Sequence, residues 1–344
     1  MLKKNLSFML ACITMFSAIA VTTPYSKTLQ IQKTVSAAKT YTISPNSAVY
    51  KGNYKNASAY NSTTKQYFLI RSYLEMLEKK GGGKLILKKG TYKISNVLYI
   101  PSNVTIELKD GVTFKSMKYG HFIEMDASNN VVVNNCTFTG YKSSKRHTSE
   151  AINLDTPDKK TKGFTHDWSK YDCTANKNVK ITNCTFSNLE KAIGTHQYSV
   201  KKYHTNITIS DCTIKNCVSG AIEMMNWKNI SLNNIKFINI GKNSKGKYTS
   251  FDKSNTTRAI LIRGGVSKIT VEGCSFKNIP RVIQCMPWKN QNTATKYPII
   301  YNKITKDEYE AIASKNKIIS GVDVPYIIVN SRYNDYGYPT KYYF

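Results

Sequence analysis

The chain has 344 residues, with 50 Lys plus Arg against 21 Asp plus Glu and a formal net charge of +29. At 41% hydrophobic and 11% aromatic it can bury a large core, which excludes a disordered polyelectrolyte. The charge points to acidic partners, and the N-terminus indicates where to look for them.

Residues 1–20 read as a secretory signal. Lys3 and Lys4 form its basic region, Leu6 to Val21 is largely apolar, and Ala18-Ile19-Ala20 is a small-residue cleavage site. The apolar run is short and ends in Thr22, Thr23 and Pro24, so a membrane span is not expected. Export places the protein outside the cell or at its surface and argues against nucleic acid as the partner. Residues 21–45 read as a linker, and 46–344 as one domain with caps over 46–80 and 287–344. Within the first cap, Phe68, Ile70, Leu74 and Leu77 stand at near-helical spacing, which predicts a helix from Thr64 to Lys80.

Internal repeats dominate the rest. Asn130-Val-Val-Val-Asn-Asn-Cys136-Thr-Phe138 aligns with segments starting at Asn178, Asn206, Asn229 and Lys268. Each alternates apolar and polar residues and is rich in β-branched side chains, so each is a strand, bent by the polar residue at its middle. A second strand follows each, and one precedes the first: 121–126, 150–155, 191–196, 220–225, 258–263 and 281–286. Its third position is Ile in all six, and its sixth positions are 29, 41, 29, 38 and 23 residues apart. That is a solenoid of β-coils carrying loop insertions.

Eight Cys are present, seven after the signal, so a complete disulfide framework is excluded. Cys136, Cys184, Cys212 and Cys274 share one repeat position with Ile235 and read as small buried residues. Cys285 falls at an inward position, while Cys173 and Cys217 lie outside the strand pattern, either paired or free. No CxxC or HExxH spacing supports a metal site.

From about residue 80, where Gly81-Gly-Gly-Lys-Leu-Ile-Leu opens the repeats, to about 290, the pattern resembles the pectate lyase and polygalacturonase superfamily. The resemblance implies an all-β fold: a single-stranded, right-handed parallel β-helix with an N-terminal capping helix and an irregular C-terminal cap. It also implies action on a polysaccharide. Asn153-Leu154-Asp155 keeps the Asn and Asp of the polygalacturonase N-T-D motif, and Gly194-Thr195-His196 echoes G-H-G. Ile262-Arg263-Gly264 differs from R-I-K, and the D-D pair is absent. A secreted β-helix group of Gram-positive bacteria, with E-A-I-x-x-D followed by G-x-G/T-H, is similar too.

In the second strand, apolar positions three and five face inward, so positions two, four and six face out. Position two, mostly Ala, makes a flat floor. Position four runs Glu124, Asn153, Gly194, Glu223, Leu261, Gln284, and position six runs Asp126, Asp155, His196, Met225, Arg263, Met286. Asp126, Asp155 and His196 form a ladder at ~4.8 Å per coil, in which like charge raises one carboxyl pKa. Asp155 and Glu223 fit an inverting pair of carboxylates, and Asp126 with Asp155 a retaining one. An outward carboxylate also serves as an ordinary solvated surface group, and Arg263 as an ion-pair partner of Glu223 or Asp252.

Insertions following the second strand form walls. The first holds His166 and Trp168; the second holds Tyr198, Lys201 and His204. Aromatics stack on sugars and Lys attracts acidic groups, so the walls and ladder describe a cleft for an acidic polysaccharide. The catalytic set is Asp155, His196, Glu223 and Asp126. The substrate-binding set is Asn153, Arg263, Arg258, His166, Trp168, Tyr198, Lys201 and Gln284. Glycoside hydrolysis and β-elimination both remain open; no cofactor is expected, although a lyase, which needs a neutralised uronate and a base, could draw on His196, Arg263 or a bound Ca²⁺. The rival reading is a non-catalytic glycan-binding or adhesion protein. A monomer is expected.

Overall fold

A computed structural model describes residues 39–109, 111–117, 122–126, 128–140, 150–155, 175–195, 203–249, 257–286, 302–330 and 339–344. The proposed signal and most of the linker lie outside these residues, as do Cys12 and Cys173.

Each coil has three strands rather than two, because every nine-residue repeat turns a corner at its middle. Asn135, Asn183, Asp211, Asn234 and Gly273 have φ of 59°, 55°, 55°, 54° and 65°, the left-handed region that Asn, Asp and Gly tolerate best. Strand β1 (Thr40–Ile43) and helix α1 (Lys65–Lys79) precede the first coil, which is β2 (Gly83–Leu87), β3 (Gly90–Ile94) and β4 (Leu98–Tyr99). The second is β5 (Val104–Leu108), β6 (Val112–Ser116) and β7 (Ile123–Asp126). The third is β8 (Asn129–Asn134), β9 (Thr137–Thr139) and β10 (Ile152–Asp155). The fourth is β11 (Lys177–Thr182), β12 (Thr185–Ser187) and β13 (Ile193–Gly194). The fifth is β14 (His204–Ser210), β15 (Thr213–Lys215) and β16 (Gly220–Met224). The sixth is β17 (Trp227–Asn233), β18 (Lys236–Ile238) and β19 (Arg258–Ile262). The seventh joins β20 (Ser267–Glu272) to the long β21 (Ser275–Cys285), after which come α2 (Lys306–Lys315), β22 (Lys317–Val329) and β23 (Lys341–Tyr343).

Like strands stack in parallel into three faces. Face A is β1-β2-β5-β8-β11-β14-β17-β20; face B is β3-β6-β9-β12-β15-β18; face C is β4-β7-β10-β13-β16-β19. β21 is long enough to continue both B and C, and every pairing except β22–β23 is parallel. The expected parallel β-helix is therefore the fold. No helix among the described residues is long and apolar enough to cross a membrane.

One expectation about the ends needs correction: β1, inside the stretch read as a linker, pairs with β2, so the stack starts before residue 46. In the C-terminal cap, β22 runs parallel along β21 from Ser275↔Lys317 to Cys285↔Val329, with register shifts between Phe276 and Lys277 and between Arg281 and Ile283. The helix predicted in the first cap forms as α1, and α2 in the second cap opens on a capping box between Thr305 and Glu308.

Inside, the six Ile of face C stand in one column. The Ala floor expected outside is inside: Ala151, Ala192, Ala221 and Ala259 are no more than 1% exposed and pack in the core. β7, β10 and β13 begin only at position three, so position two sits at a corner where consecutive side chains both turn inward. Phe138 stacks on Phe186 with centroids 5.1 Å apart, and Phe237 on Phe276 at 5.0 Å. The four repeat Cys are buried and free, and so are Cys217 and Cys285. Burial pushes the Cys217 thiol up to about 12, so it holds no nucleophilic thiolate at neutral pH.

Candidate functional site on face C

The position-four column is aligned as expected, Glu124–Asn153–Gly194–Glu223–Leu261–Gln284. Asp126 and Asp155 are direct cross-strand neighbours in their backbones. Insertions leave both margins of face C. Residues 140–151 and 239–257 precede β10 and β19, while 156–176 and 195–203 follow β10 and β13. The expectation that all of them follow the strand is corrected: the chain widens at both corners of this face.

Glu223 is the best-defined predicted site residue. It is 6% exposed, sits between Lys191 Nζ at 2.6 Å and the guanidinium of Arg263, and Lys191 also lies 3.8 Å from Glu150 Oε1. Burial alone would push the Glu223 carboxyl up, but Lys191 and Arg263 outweigh it and hold the group below the usual carboxylate range. Burial likewise opposes the Lys191 ammonium, and Glu223 and Glu150 more than restore it, leaving its pKa raised. The result is a row of alternating acidic and basic side chains, Glu150–Lys191–Glu223–Arg263.

A cleft of about 260 Å³ opens on this row, lined among others by Glu190, Lys191, Gly220, Glu223, Arg258 and Arg263. Gly220 stands in register with Arg258 and leaves the floor between Lys191 and Arg258 without a side chain. The Arg258 guanidinium reaches Met286 Sδ at 3.3 Å.

The structure thus brings Glu223, Arg258 and Arg263 together around one cleft. Asn153 and Gln284 lie in the same column two coils to either side, at 1% and 9% exposure. His196, His166, Trp168, Tyr198 and Lys201 lie outside the described residues. His204, expected on a loop wall, is instead fully buried at the start of β14. Its Nδ1 accepts from the Asn176 N–H at 3.0 Å, and Asn176 in turn bridges Ser128 N–H and Met125 O at 2.8 Å each. Beside position 196, Trp227 Nε1 donates to Thr195 Oγ1 at 2.7 Å, and that hydroxyl donates to Leu154 O at 2.8 Å, tying three coils together.

Sequence reasoning missed Lys191 and Glu150. Both stand at the first position of the second strand, a column that also holds Arg258 and Arg281; its run of charges around Gly220 was the available signal. Among the described residues no three or more His, Cys, Asp or Glu gather as a metal site would require.

No family model matches the chain, and no curated protein matches it. Solved structures of similar form exist. One is the surface adhesin PfbA of Streptococcus pneumoniae, at 14% identity over 83% of this chain and 79% of that one, with a TM-score of 0.46. Another is a putative glycosyl hydrolase from Parabacteroides merdae, at 14% identity over 60% and 89%, TM-score 0.41. A third is an alginate lyase from Paenibacillus sp., at 11% identity over 65% and 76%, TM-score 0.39. At these values none of them assigns an activity to this chain.

Proposed function

We propose that the protein is exported and hydrolyses glycosidic bonds of an acidic polysaccharide lying in the cleft of face C. The supporting observation is Glu223: a buried carboxylate, held ionised by Lys191 and Arg263, on the wall of an open cleft. A carboxylate kept below its usual range is a poor general acid and suits the base that activates water. The acid would be Asp155, whose backbone stands in register with Asp126 on the neighbouring coil. The two coils separating Asp155 from Glu223 leave the wider spacing of an inverting pair. Arg258 and Arg263 would hold the acidic group of the sugar, Asn153 and Gln284 would flank it, and His196 would assist proton transfer. His166, Trp168, Tyr198 and Lys201 would line the walls. As a hydrolase it needs no cofactor, and a bound Ca²⁺ belongs to the elimination alternative.

Digestion of polygalacturonate, alginate and neutral glycans, followed by product mass and ultraviolet absorption, tests this. Saturated products from an acidic glycan, with Glu223→Gln slowed by about 10²-fold or more, are expected. Unsaturated products would replace hydrolysis by elimination. One observation favours a second reading: both Glu223 oxygens are already engaged by Lys191 and Arg263, as in a structural staple. That reading, a non-catalytic glycan-binding protein, predicts retention of glycan with no product from any substrate.

A further inference from the structure

The outward side of face B carries Lys without acids. Its strands carry two outward columns of side chains, exposed or half-buried except at Ser187 and Ser275, which are buried. One runs Thr91, Thr113, Thr137, Thr185 and Thr213, then Lys236, Ser275 and Lys317. The other begins with Lys93 and Lys115, passes Thr139 and Ser187, and continues through Lys215, Ile238 and Lys277. Lys93, Lys115, Lys215, Lys236, Lys277 and Lys317 are all exposed, and no described acidic side chain pairs with any of them. Acids occupy the other two faces: Glu107 and Glu272 on face A, paired with Lys84 and Lys315, and Glu124 and Glu223 on face C. Four of the lysines, Lys215, Lys236, Lys277 and Lys317, stand on four successive rungs, β15, β18, β21 and β22, ~4.8 Å apart, and alternate between the two columns, so the charge zigzags along the stack.

We propose that face B is a second binding surface, distinct from the cleft, for a linear acidic polysaccharide running along the stack. Compact ammonium charges along the stack suit carboxylate or sulfate groups of an extended chain, and the half-buried Thr hydroxyls between the two lysine groups suit sugar hydroxyls. Neither column contains an aromatic or Arg side chain on which a nucleobase could stack, which disfavours single-stranded nucleic acid. The inference rests on an acidic glycan being the partner, but not on the cleft being catalytic.

The test compares three full-length proteins: the wild type, a face B variant (Lys215→Gln, Lys236→Gln, Lys277→Gln, Lys317→Gln) and a control of equal charge change on face A (Lys177→Gln, Lys180→Gln, Lys228→Gln, Lys268→Gln). Binding to polygalacturonate, dextran sulfate and neutral dextran is measured by affinity electrophoresis over a salt series, with circular dichroism to confirm folding. The wild type should bind both polyanions and not neutral dextran. The face B variant should bind at least about tenfold more weakly in low salt, with a shallower salt dependence, and the control within about twofold of wild type. Equal weakening in both variants would assign binding to net charge and overturn the proposal, as would an unchanged face B variant. Turnover by wild type and Glu223→Gln is read separately: no turnover by wild type, or none lost in Glu223→Gln, with face B binding intact removes only the cleft reading, whereas turnover lost in Glu223→Gln with an unchanged face B variant removes only this one.

Discussion

At the scale of single residues, burial sets the charge state of His204 and Glu223 in opposite ways. His204 is enclosed with no acid beside it among the described residues, so desolvation lowers its pKa from 6.5 to about 3 and the ring stays neutral. The unfolded chain takes up a proton near pH 6.5 that the folded chain refuses until about 3. Stability from this group is therefore complete above 6.5 and is lost as pH falls through that window, by about 1.4 kcal/mol per unit. Thermal unfolding from pH 7.5 to 4 should show this decline in wild type and a flatter curve in His204→Gln. Glu223 works lower on the scale. Its folded pKa lies below the unfolded 4.5, so its contribution is present above 4.5 and disappears only as pH falls further. At neutral pH, Glu223→Gln leaves Lys191 and Arg263 without their shared carboxylate. The expected loss is about 1–3 kcal/mol by denaturant titration, less than for a fully enclosed pair because both cations retain 23% exposure.

At the scale of strands and corners, the repeated Asn residues do two jobs. Their left-handed backbone turns each coil, and their side chains bond the next coil. Asn178 donates to Asn130, and Asn206 to Asn178, at 2.8 Å each, and Asn183 Nδ2 donates to Asn134 Oδ1 at 3.0 Å. Asn183→Ala removes that bond and places a Cβ residue without Asn's local hydrogen bonding at φ 55°, costing about 2 kcal/mol. Asn183→Gly loses the bond but not the backbone ease, so chemical denaturation should rank wild type, then Gly, then Ala. Gly273 already holds the corner of the seventh coil, where a Cβ would collide with the Asn234 amide. These corners, the Ile column and the buried Cys were legible in the sequence because stacking forces the same solution on every coil. The inward turn of Ala151 and its equivalents was not: a strict two-residue alternation has no term for the corner between two strands. Of the two partners of Glu223, Arg263 was legible but Lys191 was not, because it stands one residue before that corner and approaches from the margin of the face. β22 was missed for the same reason as β23: each occurs once, without a repeat to align it to.

At the scale of the whole molecule, the stack must blunt its own ends, since each terminal coil presents unpaired backbone groups. Both caps do this with side chains. At one end Gln66 Oε1 of α1 accepts the Lys93 N–H at 2.8 Å. At the other, α2 and its flanks cover the last strand of face A. Glu308 Oε1 accepts from Ile269 N–H at 2.9 Å, Asn316 Oδ1 from Cys274 N–H at 2.8 Å, and Asn302 Oδ1 from Val266 N–H at 3.0 Å. Asn316 also returns a bond to Val271 O at 2.6 Å. β22 meanwhile pairs with β21, so faces B and C are closed by a strand while face A is closed by amide and carboxylate side chains. A strand edge closed by single side chains can be opened without removing a strand. Asn316→Ala should therefore speed amide exchange at Cys274 while leaving Ile207, two coils of face A inward from that edge, protected as before. It should cost about 1–3 kcal/mol for the donor and acceptor left unpaired. The freed edge is also a template for another copy, so sedimentation should show concentration-dependent self-association in Asn316→Ala that wild type lacks. Faster exchange spread evenly along face A would instead mean that the solenoid opens as one unit and that its end is not separately guarded.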